Sequence, residues 1–92
     1  MSLTGPQLRA ARGLLNISVA ELAERTGLAV NTVRRAEATN GPAPSTPANL
    51  TLLKNTLETS GVVFIEADHM GPGVRLKEQH TLPRQLRRRA TI

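Results

Sequence analysis

The stretch that decides the fold is SVAELAERTGLAVNTVRRAE, residues 18–37 of a chain of 92. It predicts two short helices on either side of Gly27, because glycine adopts without steric cost the left-handed conformation that ends a helix. Ser18, with Glu21 three residues later, predicts a capping box at the start of the first of these helices. Apolar or small residues recur at helical spacing in both halves, at Leu22, Ala23, Leu28, Val33 and Ala36. The stretch therefore predicts a helix-turn-helix whose second helix stands out from the domain.

Two further helices are predicted around this element. Thr4 and Pro6 favour the start of a first helix that ends near Leu15, and Pro47 after Thr46 favours the start of a fourth. The four expected helices run from about residue 5 to 15, 19 to 27, 30 to 38 and 47 to 59. Apolar residues at helical spacing on the first and fourth helices predict the rest of the core: Leu8, Ala11, Leu15, Leu50, Leu53 and Leu57.

The periodicity changes after Gly61. Residues 62–65 are β-branched or aromatic, residues 74–77 alternate apolar with basic, and residues 68–73 between them are rich in turn formers. This pattern predicts a β-hairpin. An isolated two-stranded hairpin is marginally stable in water, so it must either pack on the helices or pair with another copy of itself.

Charge is concentrated at one end of the chain. The formal net charge is +5, and residues 79–92 contribute +4 of it without any acidic residue, through Arg84, Arg87, Arg88 and Arg89. Residues 1–78 carry eight basic and seven acidic residues, so any attraction for a polyanion there must come from a local face. The basic tail has two interpretations, a solvated disordered end or a non-specific contact with phosphates.

Composition excludes several classes of protein. A hydrophobic content of 39% is enough for a packed core, and the lack of cysteine excludes disulfides and thiolate metal sites. There is no long apolar run, so we expect a cytoplasmic protein without a membrane span. Phe64 is the single aromatic residue, too few for stacking against single-stranded nucleic acid. His69 and His80 lie among scattered acids without metal-ligand spacing, so we expect no enzymatic activity, no metal and no cofactor.

A set of short motifs covers residues 8–37: LRAAR at 8–12, Ser18, ELA at 21–23, GL at 27–28, TV at 32–33 and RAE at 35–37. This set resembles the Xre/Cro family of bacterial and phage regulators, and a weaker match through residues 50–53, 61–65 and 71–76 resembles very short regulators of that type. Val19, Ala29 and Ala36 stand where the family has Gln, Ser or Thr, and a bulky aliphatic residue. The resemblance implies a mainly α, lambda-repressor-like helix-turn-helix bundle of about four helices with a C-terminal β-hairpin.

The resemblance also implies a function. Residues 4–60 are then a helix-turn-helix DNA-binding domain, residues 61–78 a hairpin that serves in dimerisation, and residues 79–92 a basic, disordered tail. The expected activity is sequence-specific binding of double-stranded DNA as a bacterial transcriptional regulator, acting as a repressor. The alternative is an antitoxin-like or scaffold protein, whose hairpin or tail binds a partner protein.

The third helix carries the candidate DNA contacts. Because Val33 and Ala36 must face inward, Asn31, Arg34 and Arg35 point largely outward. By their position in the family motif, the residues that touch base edges are Val30, Asn31, Arg34 and Arg35. Arginine suits the acceptors of guanine, asparagine suits adenine, and a valine methyl suits thymine. The alternative interpretation is a solvated polar helix face.

Four other residues have expected roles near this helix. Thr32 is a candidate for a phosphate contact or an ordinary surface threonine. Ser18 is a helix cap, and the N–H groups that follow it can also bind phosphate. The family pairs an arginine of the first helix with the glutamate that ends the third, which implies a bidentate pair between Arg12 and Glu37. The alternative is two unpaired surface charges.

The hairpin is the expected dimerisation element. One domain contacts only a few base pairs, so specific binding usually requires two copies. Pairing of hairpin edges in a homodimer satisfies exposed backbone groups, and the two recognition helices are then expected about 34 Å apart. The predicted interface residues are Val62, Val63, Phe64, Ile65, Val74 and Leu76. The alternative is a hairpin folded back on the first and fourth helices of its own chain, with dimers that form only on DNA.

Overall fold

The computed structural model describes residues 3–78 and shows four helices followed by a two-stranded antiparallel hairpin. In chain order the elements are α1 Gly5–Leu15, α2 Val19–Thr26, α3 Val30–Glu37, α4 Pro47–Ser60, β1 Val62–Ile65 and β2 Gly73–Leu76. The predicted mainly helical fold with a C-terminal hairpin is confirmed, and each helix ends within about one residue of its expected position. The predicted basic tail, residues 79–92, lies outside the described residues.

Side-chain caps set where α1 and α4 begin. The Thr4 hydroxyl accepts from the Gln7 N–H, and the Gln7 side chain accepts from the Thr4 N–H at 3.0 Å, which makes a reciprocal capping box. Thr46 accepts from the Asn49 N–H at 3.1 Å, and Pro47 follows as the first residue of α4. Local sequence signals therefore determine both helix starts.

The cap of α2 differs from the prediction in one bond. Ser18 accepts from the Glu21 N–H at 3.0 Å, as expected. The Glu21 carboxylate, however, pairs with Arg25 rather than with the Ser18 N–H, because an arginine four residues later offers it a full opposite charge. Gly27 ends α2 in the left-handed conformation with a φ of 78°, as predicted.

The core lies where the four helices meet the hairpin. Its buried apolar residues are Leu3, Leu8, Ala11, Ile17, Leu22, Ala23, Val33, Ala36, Ala43, Leu53, Leu57, Val62 and Phe64. Leu15, Leu28 and Leu50, which the periodicity also assigned to the core, are only partly buried and pack against its edge. The hairpin thus shares one core with the helices.

The inner face of the hairpin packs on α1 and α4 of its own chain. Val62 pairs with Leu76 and Phe64 with Val74, and all four pack in or against the core. Val62 is 0% exposed and Phe64 is 6% exposed, so neither side chain is available to a second copy. Their place in a dimer interface stays a prediction; within one chain, the apolar face that a lone hairpin must cover is covered by α1 and α4, as the alternative expected. Val74 and Leu76 face the same way and are half-buried.

The outer face of the hairpin is the part that stays accessible. Val63 and Ile65 point away from the helices, at 40% and 41% exposure, as the alternation of side chains along a strand requires. Arg75 lies opposite Val63, and Gly73 lies opposite Ile65. Of the six predicted interface residues, these two apolar side chains are the ones that the structure leaves open to another molecule.

A buried glutamine, which the sequence analysis did not single out, joins the hairpin to α1. Gln7 is 3% exposed, and its Nε2 donates to the carbonyl oxygens of Ile65 at 3.3 Å and Gly73 at 3.0 Å. These two residues are the last pair of the ladder before the connecting loop. A buried amide without partners costs about 1–3 kcal/mol, so this contact fixes the hairpin against the start of α1.

Candidate nucleic-acid interface

The helix α3 has two faces in different environments. Its inner face is buried and consists of Val33, Ala36 and Glu37. Its outer face is exposed and consists of Asn31, Arg34 and Arg35. Residues four apart lie above one another on a helix, so Asn31 and Arg35 form the centre of the outer face. Val30, at 36% exposure, and half-buried Thr32 flank it.

The outer face of α3 is positively charged. The side chains of Arg34 and Arg35 have no hydrogen-bond or ion-pair partner among residues 3–78. Glu37 is the single acidic residue of α3, and it is turned inward at 4% exposure. The guanidinium groups of two consecutive residues therefore face solvent without a neighbouring carboxylate, which suits contact with a polyanion.

The pair implied by the family resemblance, Arg12 with Glu37, is formed. Arg12 Nε donates to Glu37 Oε2 and Arg12 Nη2 donates to Oε1, both at 2.9 Å, in the bidentate geometry of a strong charged pair. The third donor, Nη1, bonds the Ile17 carbonyl at 3.1 Å. The hydrogen bonds that Arg12 donates to Glu37 raise the pKa of the Arg12 guanidinium above its ordinary value, although burial acts in the opposite direction. The pair ties α1 to the last residue of α3.

A second arginine of α1, which the sequence analysis did not assign, holds the same end of α3. Arg9 Nη1 donates to the main-chain carbonyl oxygens of Glu37 and of Thr39, the latter at 3.1 Å, and Nη2 donates to Asn40 Oδ1 at 3.2 Å. The sequence did contain a signal, since Arg9 precedes Arg12 by three residues and therefore lies on the same side of α1.

The start of α3 has open hydrogen-bond donors. Ala29 precedes the helix and supplies no side-chain cap, although its carbonyl accepts from the N–H groups of Thr32 and Val33. The N–H groups of Val30 and Asn31 have no backbone acceptor among residues 3–78. Free N–H groups at a helix N-terminus, together with the helix dipole, favour a nearby anion.

The candidate residues are distributed over two adjacent helices. The structure brings Val30, Asn31, Thr32, Arg34 and Arg35 together on α3. Ser18 is exposed at the start of α2, where its oxygen is occupied as the cap of that helix. Its hydroxyl hydrogen is still able to donate to a ligand, since the capping bond uses only the oxygen as acceptor.

Other kinds of site find less support in the described part of the chain. Within residues 3–78, no group of three or more His, Cys, Asp or Glu side chains is placed to hold a metal ion. Asp68 and His69 are 3.5 Å apart, but their side chains are 67% and 84% exposed on the hairpin loop. No described helix combines the length and the apolar character that a membrane crossing requires.

Comparison with protein-family models and with curated proteins gave no match to this chain. Its function therefore has to be inferred from the geometry and charge of α3.

Proposed function

We propose that this protein binds double-stranded DNA sequence-specifically, as a bacterial transcriptional regulator of the helix-turn-helix type, with α3 in the major groove. One observation supports this most: α3 is fixed through its inner face, while its outer face presents the side chains of Asn31, Arg34 and Arg35, which have no partner among residues 3–78. A short helix anchored in this way can be inserted into a groove as a rigid unit.

The chemistry of the outer face matches base edges. Arg34 and Arg35 each offer a planar fork of donors, the arrangement that bonds O6 and N7 of guanine. The Asn31 side-chain amide offers N–H donors and a carbonyl acceptor, which match N7 and N6 of adenine respectively. Val30 adds a methyl surface suited to thymine. Different bases along one groove thus have different partners on a single helix.

Phosphate contacts are expected around this face. The open N–H groups of Val30 and Asn31 point where the helix dipole favours an anion. The hydroxyls of Thr32 and Ser18 are further donors on α3 and α2. Such contacts hold the protein in register on the duplex, while the base contacts distinguish one sequence from another.

Two copies on a two-fold symmetric site are part of the proposal, because the few residues of one α3 contact too few base pairs for high specificity. The regulatory outcome we propose is repression, in which a bound dimer occupies a DNA site and excludes other proteins from it. The hairpin surface available for contact between the copies is the outer face with Val63 and Ile65.

The same outer face supports a second candidate function, the binding of a partner protein. Val63 and Ile65 are about two-fifths exposed, and Met70 on the connecting loop is 68% exposed. An antitoxin-like or scaffold protein uses such apolar surface for its partner. A stable complex with a different protein, purified at fixed stoichiometry, together with no sequence preference for DNA, is the result that favours this function.

Selection of binding sites from random double-stranded DNA tests the main proposal. We expect one motif to be enriched, and Arg35→Gln to weaken the preference at one position of that motif. Arg25→Gln is the matched control, because it removes the same charge from an exposed position of α2, where Arg25 bonds Glu21 and Ser60 rather than α3. Absence of an enriched motif, or equal losses for the two variants, contradicts specific binding through α3.

A further inference from the structure

The N-terminal half of α1 lies against the segment that follows α3. Gly5 N–H donates to the Gly41 carbonyl at 3.0 Å. A Cβ on Gly5 would lie 2.1 Å from the Thr39 carbonyl oxygen and 2.9 Å from that of Glu37, so the two backbones are as close as glycine permits. The carbonyl groups at the end of α3 are therefore held at a fixed distance from α1.

Arg9 donates hydrogen bonds to these carbonyl groups. The last carbonyl groups of a helix have no partner within the helix, and they carry the negative end of its dipole. The Arg9 guanidinium supplies hydrogen bonds to the carbonyls of Glu37 and Thr39 and to the Asn40 side chain. It makes no ion pair with a carboxylate among residues 3–78. Its charge is thus balanced by the end of α3 itself.

Arg9 and Arg12 hold Glu37 in two different ways. Arg12 bonds the carboxylate of Glu37, and Arg9 bonds its main-chain carbonyl. One contact through a side chain leaves a helix able to rotate about its own axis as that side chain changes rotamer. A second contact to the main chain of the same residue removes this freedom.

We infer that Arg9 is a positioning residue for DNA recognition: together with Arg12 it forms a clamp on the C-terminal end of α3 that fixes the rotation of the helix. The inference rests on the proposed function, since rotation of α3 matters only if Asn31 and Arg35 must meet particular base edges. A rotation of α3 moves both side chains across the groove and weakens discrimination between base pairs more than it weakens contact with phosphates.

Three variants of the full chain separate this role from charge and from stability. Arg9→Gln removes the forked donor and its charge. Arg9→Lys keeps the charge but replaces the planar fork by one compact ammonium nitrogen, which cannot reach acceptors that Arg9 bonds from two separate nitrogens. Arg25→Gln is the matched control, because it removes one arginine charge from α2, where Arg25 contacts Glu21 and Ser60 but not α3.

The first measurement needs no DNA. Residual dipolar couplings of the amide groups report the orientation of α3 relative to α1 in each folded variant. We expect a changed orientation of α3 in Arg9→Gln and Arg9→Lys, and an unchanged one in Arg25→Gln. If Arg9→Gln does not fold, Arg9→Lys still tests the inference. An unchanged orientation in every folded Arg9 variant overturns it.

The second measurement compares affinities for the selected DNA site and for the same site with one base pair replaced. We expect the ratio of the two affinities to fall about tenfold in Arg9→Lys. The slope of log affinity against log salt should stay unchanged. Arg25→Gln is expected to keep the ratio. A ratio that Arg9→Lys leaves intact contradicts the positioning role. The two measurements can also disagree. If α3 is reoriented in the Arg9 variants but the unsubstituted protein shows no sequence preference for DNA, the clamp is supported and the proposed function is overturned.

Discussion

Replacement of Arg12 by methionine tests how much the buried end of α3 depends on one guanidinium group. Arg12 makes two bonds of 2.9 Å to the Glu37 carboxylate, whose side chain is 6% exposed. No other side chain among residues 3–78 donates to that carboxylate. Removal of one partner of a buried pair costs about 3–5 kcal/mol, because the other charge stays buried. The Arg12 side chain is 23% exposed, so water enters from its side, and we expect about 3 kcal/mol for Arg12→Met.

The opposite substitution is expected to cost less. Glu37→Gln keeps the shape of the side chain and one oxygen that still accepts from Arg12. The guanidinium that is left without its carboxylate is the more exposed partner, and it keeps its bond to the Ile17 carbonyl. The expected loss is about 1.5 kcal/mol. The double variant should lose less than the sum of the two single losses, since each one alone already breaks the pair.

Urea unfolding followed by circular dichroism at neutral pH measures these free energies. For a domain of this size a loss of about 3 kcal/mol corresponds to a fall in Tm of about 15 °C. An Arg12→Met loss under about 1 kcal/mol means that Glu37 is solvated or held by something else. Equal losses for Arg12→Met and Glu37→Gln also refute the reasoning, because they remove the predicted asymmetry between the buried and the exposed partner.

Four further outcomes are expected. Arg35→Ala should remove about 1–3 kcal/mol of preference for the selected site, measured by competition with unrelated DNA, while non-specific affinity changes less. Gly5→Ala should destabilise the fold by about 3 kcal/mol, because the added Cβ would lie 2.1 Å from the backbone oxygen of Thr39. Gly13→Ala is the comparison: the added Cβ would meet no atom of another element within 4 Å, so this variant should stabilise the fold by about 0.5–1 kcal/mol in the same urea titration. Deletion of residues 79–92 should flatten the slope of log affinity against log salt, by about 0.9 for each phosphate that the tail neutralises, and leave the preferred sequence unchanged; an unchanged slope favours a solvated end. Light scattering should give a dimer at tens of micromolar if the outer hairpin face joins two copies, and a monomer if dimers form only on DNA.

The helix boundaries were predictable because their signals are local. Thr4, Ser18 and Thr46 each bond an N–H group three residues further along the chain, so a cap can be recognised without knowledge of the fold. Gly27 likewise acts through its own backbone angles. The predicted contacts of α3 with the core followed from helical periodicity, which places Val33 and Ala36 on one face whatever they pack against.

The contacts that position α3 and the hairpin were harder to predict, because their partners are main-chain atoms distant in sequence. Gln7 bonds carbonyl groups of residues 58 and 66 positions away, and Arg9 bonds carbonyls 28 and 30 positions away. A carbonyl group is present at every residue, so the sequence gives no sign of which ones are used. The hairpin raises a related difficulty: alternation separates Val62 and Phe64 from Val63, but it does not say which face meets the chain's own helices.

The distribution of charge over the described residues connects the fold to the expected mode of DNA binding. Three acidic residues are paired with nearby basic groups, in the ion pairs Arg12–Glu37, Arg25–Glu21 and Lys54–Glu58. With eight basic and seven acidic residues, residues 1–78 are almost neutral as a whole. The side chains of Arg34 and Arg35, on the outer face of α3, have no ion-pair partner among residues 3–78. At physiological salt such a local face acts over only about 8 Å, so we expect α3 to contribute to the proposed DNA binding mainly at contact. Residues 79–92 carry +4 without any acid, so each phosphate contact that they make adds to the salt dependence of binding. We therefore expect the preferred DNA sequence to depend on α3 and the salt dependence of binding to depend on the tail. Substitution on α3 should then change the first observable, and deletion of the tail should change the second.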